Sequence, residues 1–191
     1  MKLNQVKLKV EARIDSLINS FKENPELFLT EQDVVAYLYK LLLEDFGSFQ
    51  ETADNPPRQS IPLHCEVRWY GGHRRRPLRY RSDLVILNVP SLITENTDSF
   101  RLPSKGYGFD KFQVIIEVKL RRKTRRSNSK WMDLIRKDRR KISRLRRSLT
   151  GANFLVYLII FDKKSDIGLE SRTYHSHKEY YVYPYENAQM P

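Results

Sequence analysis

From Leu3 to Phe21 the apolar residues Leu3, Val6, Val10, Ile14, Leu17, Ile18 and Phe21 recur every three or four positions among mostly polar neighbours. That is the period of an α-helix with one apolar face, so the spacing predicts an amphipathic helix. "ENPEL" (23–27) ends it, because a proline at position 25 removes a backbone donor and clashes with the preceding turn. A second helix is predicted in "LTEQDVVAYLYKLLLEDFG". Thr30 can cap it, Asp33 three residues on completes a box-like pattern, and Gly47 is a plausible stop. "SFQETADNPPRQS" (48–60) is rich in turn formers and reads as a loop.

The pattern then changes to the two-residue period of strands. "HCEVRWY" (64–70) alternates, "LRYRSDLVILNV" (78–89) ends in a buried-looking run, and "FQVIIEVKL" (112–120) is mostly apolar. "GGHRRRP" (71–77) joins the first two as a hairpin connection, and "PSLITENTDSFRLPSKGYG" (90–108) is a long insertion with no element assigned. "KWMDLIRKDRRKISRLRRSL" (130–149) returns to helical spacing, "NFLVYLIIF" (153–161) reads as a central strand, and "EYYVYPY" (179–185) as a peripheral one that Pro184 limits. The order α-α-β-β-β-α-β-β predicts an α/β or α+β domain with a mixed sheet flanked by helices.

A length of 191 residues, with 40% hydrophobic and 30% charged residues, fits one folded domain spanning 1–191. The single cysteine, Cys65, rules out an internal disulfide or a multi-cysteine zinc site and is expected as a half-buried thiol. The four histidines are too few and scattered to suggest zinc. No apolar run approaches the roughly 20 residues needed to cross a bilayer, so a cytoplasmic protein is expected.

The net charge of +12 is concentrated in one place. Between Arg121 and Arg147 lie fourteen Lys/Arg against two acids, Asp133 and Asp138, while the rest of the chain balances at 21 and 21. Such a stripe is the footprint of a phosphate-binding surface; a solvated helix face, or a site for an acidic protein or lipid, would have the same composition.

Directly before that stripe stand Glu117 and Lys119. Alternation puts them on one face with Gln113 and Ile115, opposite Phe112, Val114, Ile116, Val118 and Leu120. A carboxylate and an amine in an apolar strand must be paired or hold a metal, and a plain ion pair at a strand end accounts for the dipeptide spacing by itself. Two further acids bear on the choice. Asp83 heads the apolar run "SDLVILNV", and Glu31 lies on the apolar stripe of its own helix, with Val34, Val35, Leu38 and Leu42 following, while Asp33 projects outward. Glu31 could equally serve only the helix dipole.

Ser82-Asp83, a 33-residue interval and Glu117-Val118-Lys119 resemble the PD-(D/E)XK nuclease superfamily. The likeness runs over 30–161, because helix, hairpin, motif strand, helix and strand come in that family's order; Ser82 stands where the family has proline. The resemblance implies a restriction-endonuclease-like α/β fold: a mixed central sheet flanked by helices over 30–161, an N-terminal helical extension and linker over 1–29, and a C-terminal strand region over 162–191. It implies a Mg²⁺- or Mn²⁺-dependent deoxyribonuclease, endonuclease rather than exonuclease. Asp83, Glu117, the Val118 carbonyl and Glu31 would be metal ligands and Lys119 the catalytic lysine, either a base or an electrostatic aid. The rival reading is a non-catalytic nucleic-acid-binding or assembly protein that retains the fold. A homodimer is left open.

The basic arm leaves the motif strand directly and would carry nucleic-acid phosphates, DNA favoured over RNA. Its candidate contacts are Arg121, Arg122, Lys123, Arg125 and Arg126, then Lys137, Arg140, Lys141 and Arg144 on the helix, joined by Arg74, Arg75 and Arg76 from the hairpin. On that helix Asp138 interrupts the apolar stripe of Trp131, Leu134, Ile135, Ile142, Leu145 and Leu149. It needs a partner: a Tyr, an Arg or a backbone group, or the active site, which it would orient. Tyr174, Tyr180, Tyr181, Tyr183 and Tyr185 serve either strand packing or base stacking, and His175 and His177 are expected at the surface.

Overall fold

The structure is a computed structural model and describes residues 1–71, 78–92, 106–107, 112–123, 127–148, 153–165, 167–174 and 177–185. Among the described residues, three helices, α1 (Leu3–Glu23), α2 (Glu31–Phe46) and α3 (Asn128–Ser148), accompany nine strands. These are β1 (Gln50–Glu51), β2 (Gln59–Ser60), β3 (Leu63–Gly71), β4 (Leu78–Leu87), β5 (Gly106–Tyr107), β6 (Phe112–Arg121), β7 (Leu155–Asp162), β8 (Arg172–Thr173) and β9 (Lys178–Val182).

Seven strands form a mixed sheet in the order β5-β3-β4-β6-β7-β9-β8, and β1 and β2 pair as a separate ribbon. The predicted mixed sheet flanked by helices is therefore present. The β3-β4 pair is antiparallel, with Gly71 opposite Leu78 across the 71–77 connection, and β4 is antiparallel to β6. β6, β7 and β9 run parallel, which requires a crossover between each pair; α3 supplies the first.

Alternation along the strands decides which helix lies where. One face of the sheet presents Leu84, Ile86, Val114, Ile116, Val118, Leu120, Ile159 and Phe161, and packs with the buried stripes of α1 (Val6, Val10, Ile14, Leu17, Phe21) and α2 (Val34, Val35, Leu38, Leu42, Phe46). The other presents Val85, Leu87, Ile115, Val156, Leu158 and Ile160 to Trp131, Ile135, Ile142 and Leu145 of α3. β6 is thus apolar on both faces over its first half, as a central strand must be.

The helix boundaries follow from local chemistry. Thr30 Oγ1 accepts from the Asp33 amide at 3.1 Å while Asp33 Oδ2 accepts from the Thr30 amide at 2.8 Å, closing a capping box at the start of α2. Asp33 therefore turns back on the cap rather than outward. Gly47 closes the helix because a Cβ there would lie 2.5 Å from the Leu43 carbonyl oxygen. Pro25 opens a short 3-10 turn, Pro25–Leu27, between α1 and α2.

Several local expectations need correcting. The 48–60 loop contains β1 and β2, too short to leave a periodic signal. From the long insertion, Val89–Ser91 forms a 3-10 turn and β5 adds two residues to the sheet edge; the remainder of 93–105 lies outside the described residues. Cys65 is exposed rather than half-buried. The last strand is not peripheral: β9 lies between β7 and β8, and four of its five residues are buried.

His177 is likewise buried instead of at the surface, because it pairs with Glu179, which is fully enclosed between the sheet and α3. Arg139 donates to both Glu179 oxygens, at 2.7 and 2.8 Å, and to the Tyr181 hydroxyl at 2.6 Å. Burial pushes the Glu179 pKa up, but hydrogen bonds from His177 and Arg139 outweigh it and bring it down to about 2. A carboxylate so depressed stabilises the fold above its ordinary value of 4.5, and that contribution is lost as pH falls toward 2. Replacing Arg139 by alanine removes the bidentate partner of the buried Glu179 charge and should cost about 3 kcal/mol at neutral pH. Urea titrations should show that difference shrinking as pH falls below 4.5.

Candidate active site at the open edge of the motif strand

The β4-β6 ladder ends at the Leu84–Ile116 pair, while β6 continues beside β7 as far as Arg121. From Val118 onward the β4 side of β6 is therefore unpaired. Its backbone groups need other partners, since an orphaned buried N–H is expensive. Two carboxylates supply them. Asp83, one residue beyond the end of the ladder and on the same face as Val85, accepts from the Val118 amide at 2.8 Å. Glu31, at the first turn of α2, reaches the Leu120 amide at 3.4 Å.

Glu117 and Lys119 project on the α3 face of this strand segment. Lys119 Nζ donates to Glu31 Oε1 and to the Val118 carbonyl, both at 3.0 Å, and lies 3.6 Å from Asp138 Oδ2 on α3. Burial by itself would lower the Lys119 pKa; Asp138, Glu31 and Asp83 together outweigh it and hold the ammonium well above its ordinary value. The surrounding carboxylates thus favour the ammonium form of Lys119.

Glu117 is 1% exposed. Its Oε2 accepts from Lys141 Nζ at 2.9 Å, and its Oε1 is buried with no hydrogen-bond partner. Burial raises its pKa to about 7, with Asp83 and Asp138 adding to the rise and Lys141 opposing it. Asp138 is raised for the same leading reason, burial, against the pull of Lys119 and Lys141. Of the two readings of Asp138, its position beside Lys119 is the one the structure displays.

Known families, curated proteins and solved structures offer no match to this chain.

The donor set fits one hard divalent cation. Asp83, Glu117 and the Val118 carbonyl offer two carboxylates and a carbonyl oxygen, and Mg²⁺ is commonly held by one or two carboxylates with water completing its shell. The unpartnered Glu117 Oε1 is the buried polar atom such an ion would satisfy. Among the described residues no three acidic, histidine or cysteine side chains form a ready-made cage. Glu31 is engaged with Lys119 and the Leu120 amide, which makes it a positioning group for the lysine in this geometry.

The expected phosphate contacts divide. Arg122, Lys123, Lys137, Arg140 and Arg144 are exposed, Lys123 sharing Glu26 with Lys163. Arg121 is not a surface contact. It is 1% exposed and donates to Asp162 Oδ2 at 3.0 Å and to Asn128 Oδ1, tying the ends of β6 and β7 to the start of α3. Lys141 faces Glu117 instead of the outer surface. Arg74, Arg75, Arg76, Arg125 and Arg126 lie outside the described residues, as does His175. Tyr180 and Tyr181 are buried in the two cores, Tyr183 accepts from the Leu169 amide at 2.7 Å, and Tyr174 stacks on His177; these four pack, and Tyr185 is 58% exposed.

Sequence reasoning missed the Arg121–Asp162 and Arg139–Glu179 pairs. The signal was an acid at the end of one apolar strand, "LIIFD", and inside another, "KEYYV".

Because the folded Glu117 holds its proton up to about pH 7 and the unfolded chain releases it near 4.5, this group subtracts stability as pH rises through that interval. The loss should be on the order of 2–3 kcal/mol. In EDTA, Glu117→Gln should therefore gain stability over wild type between pH 5 and pH 7.5, measured by paired thermal melts. A constant difference across that range would refute the buried, proton-retaining carboxyl.

Proposed function

We propose that the protein is a divalent-metal-dependent nuclease of restriction-endonuclease-like fold that hydrolyses phosphodiester bonds in DNA, cutting internally. One observation carries the reading: Asp83 and Glu117 meet where β4 and β6 part, beside Lys119 and the Val118 carbonyl it donates to, with one buried Glu117 oxygen left bare. An ordinary strand-end ion pair would satisfy its oxygens and would not gather four carboxylates.

Asp83, Glu117 and the Val118 carbonyl would hold the ion, with Glu31 fixing the lysine. When bound, a divalent cation supplies Lewis acidity, making a coordinated water more acidic and offsetting charge on the phosphate. The protein's own groups do the remainder. Lys119, kept cationic by Asp138 and Glu31, offers positive charge where an attacked phosphate gains negative charge. Glu31 and Asp138 hold its ammonium from opposite sides, one at the sheet edge and one on α3, so its position does not depend on substrate. The exposed cations Arg122, Lys137, Arg140 and Arg144 suit backbone phosphates, which carry no sequence information.

Supercoiled plasmid incubated with the full chain should be nicked in Mg²⁺ or Mn²⁺ and left intact in EDTA. Asp83→Ala, Glu117→Ala and Lys119→Ala should each slow cleavage by about 100-fold or more. Cleavage that survives all three substitutions would place the chemistry elsewhere. Absence of cleavage, with DNA binding untouched by the substitutions, would favour a binding protein on the same fold.

A further inference from the structure

Lys141 behaves unlike the cations one turn away from it on α3. Lys137 and Arg144, its neighbours at one turn before and after, are exposed, and their like charge disfavours a third ammonium on the same outer surface. Lys141 instead turns inward, its side chain 29% exposed along the stem, and places Nζ 2.9 Å from Glu117 Oε2 and 2.6 Å from the Arg81 carbonyl oxygen. Arg81 precedes Asp83 by two residues on β4, so the ammonium spans the gap where β4 and β6 part.

That position neutralises one oxygen of a 1%-exposed carboxylate and leaves the other bare. A divalent ion drawn to the bare oxygen would share the carboxylate with an ammonium already on it. Two cations on one buried carboxylate repel strongly. Each must then weaken the other's hold, by the same factor in both directions.

We propose that Lys141 is a place-holding counter-ion: it neutralises Glu117 while no metal is bound, is displaced from that carboxylate when a divalent cation enters, and thereby sets the metal affinity of the site. The inference rests on the nuclease reading of the Asp83–Glu117 pair. The displaced ammonium has somewhere to go, since the Lys141 side chain is 29% exposed and can turn toward solvent.

The test is Mn²⁺ binding, followed by isothermal titration and by the metal-induced rise in Tm, for the full chain as wild type, Lys141→Met and Lys141→Arg. Methionine keeps the apolar stem and removes the charge, so it should bind Mn²⁺ about tenfold more tightly than wild type and show the larger rise in Tm. Arginine keeps the charge and should bind as wild type does. Equal or weaker binding by Lys141→Met, with wild type binding normally, would overturn the place-holder role and leave the nuclease reading standing; so would tighter binding by Lys141→Arg. Binding of Mn²⁺ by none of the three folded proteins would remove both. If circular dichroism shows that Lys141→Met does not fold, Lys141→Gln, which keeps a donor without the charge, takes its place with the same expectation.

Discussion

The unpaired edge of β6 is the constraint on which the rest of the site depends. A strand whose neighbour leaves at Leu84–Ile116 but which itself continues to Arg121 exposes amides and carbonyls that must find partners. Carboxylates are the acceptors that can reach in from β4 and from the start of α2, so Asp83 and Glu31 converge on Val118 and Leu120. Once two acids are fixed there, Glu117 on the same strand makes a third and Asp138 a fourth. Such an accumulation of negative charge can persist only if cations are built in beside it. Lys119 and Lys141 are those cations, and their neutralisation of the cluster is incomplete, since one Glu117 oxygen stays bare.

α3 organises this face of the protein through three polar positions within one turn. Its apolar stripe of Trp131, Ile135, Ile142 and Leu145 anchors it to the sheet, and three polar residues near its middle tie it to β4, β6 and β9. Asp138 faces Lys119 on β6, Arg139 clamps Glu179 on β9, and Lys141 reaches Glu117 and the β4 backbone. The two acids 117 and 179 are both almost fully enclosed yet hold their protons very differently. Glu179 has a bidentate guanidinium and an imidazole and is a strong acid; Glu117 has one ammonium and a bare oxygen and is a weak one. The first arrangement is complete and structural. The second is incomplete, with one buried oxygen unpartnered.

The N-terminal helices contribute more than cover. α1 and α2 bury the opposite face of the sheet, and the Thr30–Asp33 capping box fixes where α2 begins. That start point sets Glu31 at the height of Lys119. A cap shifted by one residue would rotate Glu31 by about 100° around the helix axis and away from the lysine. Likewise the Arg121–Asp162 pair, sealed by Asn128, fixes the exit of β6 and the entry of α3, and so the register between Lys119 and Asp138.

What the sequence determined by itself was local. The period of apolar residues placed α1, α2, α3 and the five longer strands within a few residues, since burying one face of a helix or strand imposes that period wherever it occurs. Alternation on β6 put Glu117 and Lys119 on one face, and the cap at Thr30 was legible from residue types. The two-residue strands escaped because no period can be read over two positions. The tertiary structure alone decided the rest: that β4 and β6 part at Asp83, that Arg121 is enclosed and Lys141 turned inward although both sit in a run of cations, and that one oxygen of Glu117 is left bare. These depend on which groups from distant segments share a low-dielectric space. Charge composition cannot reveal that, because a lysine facing water and a lysine facing a buried carboxylate are written with the same letter.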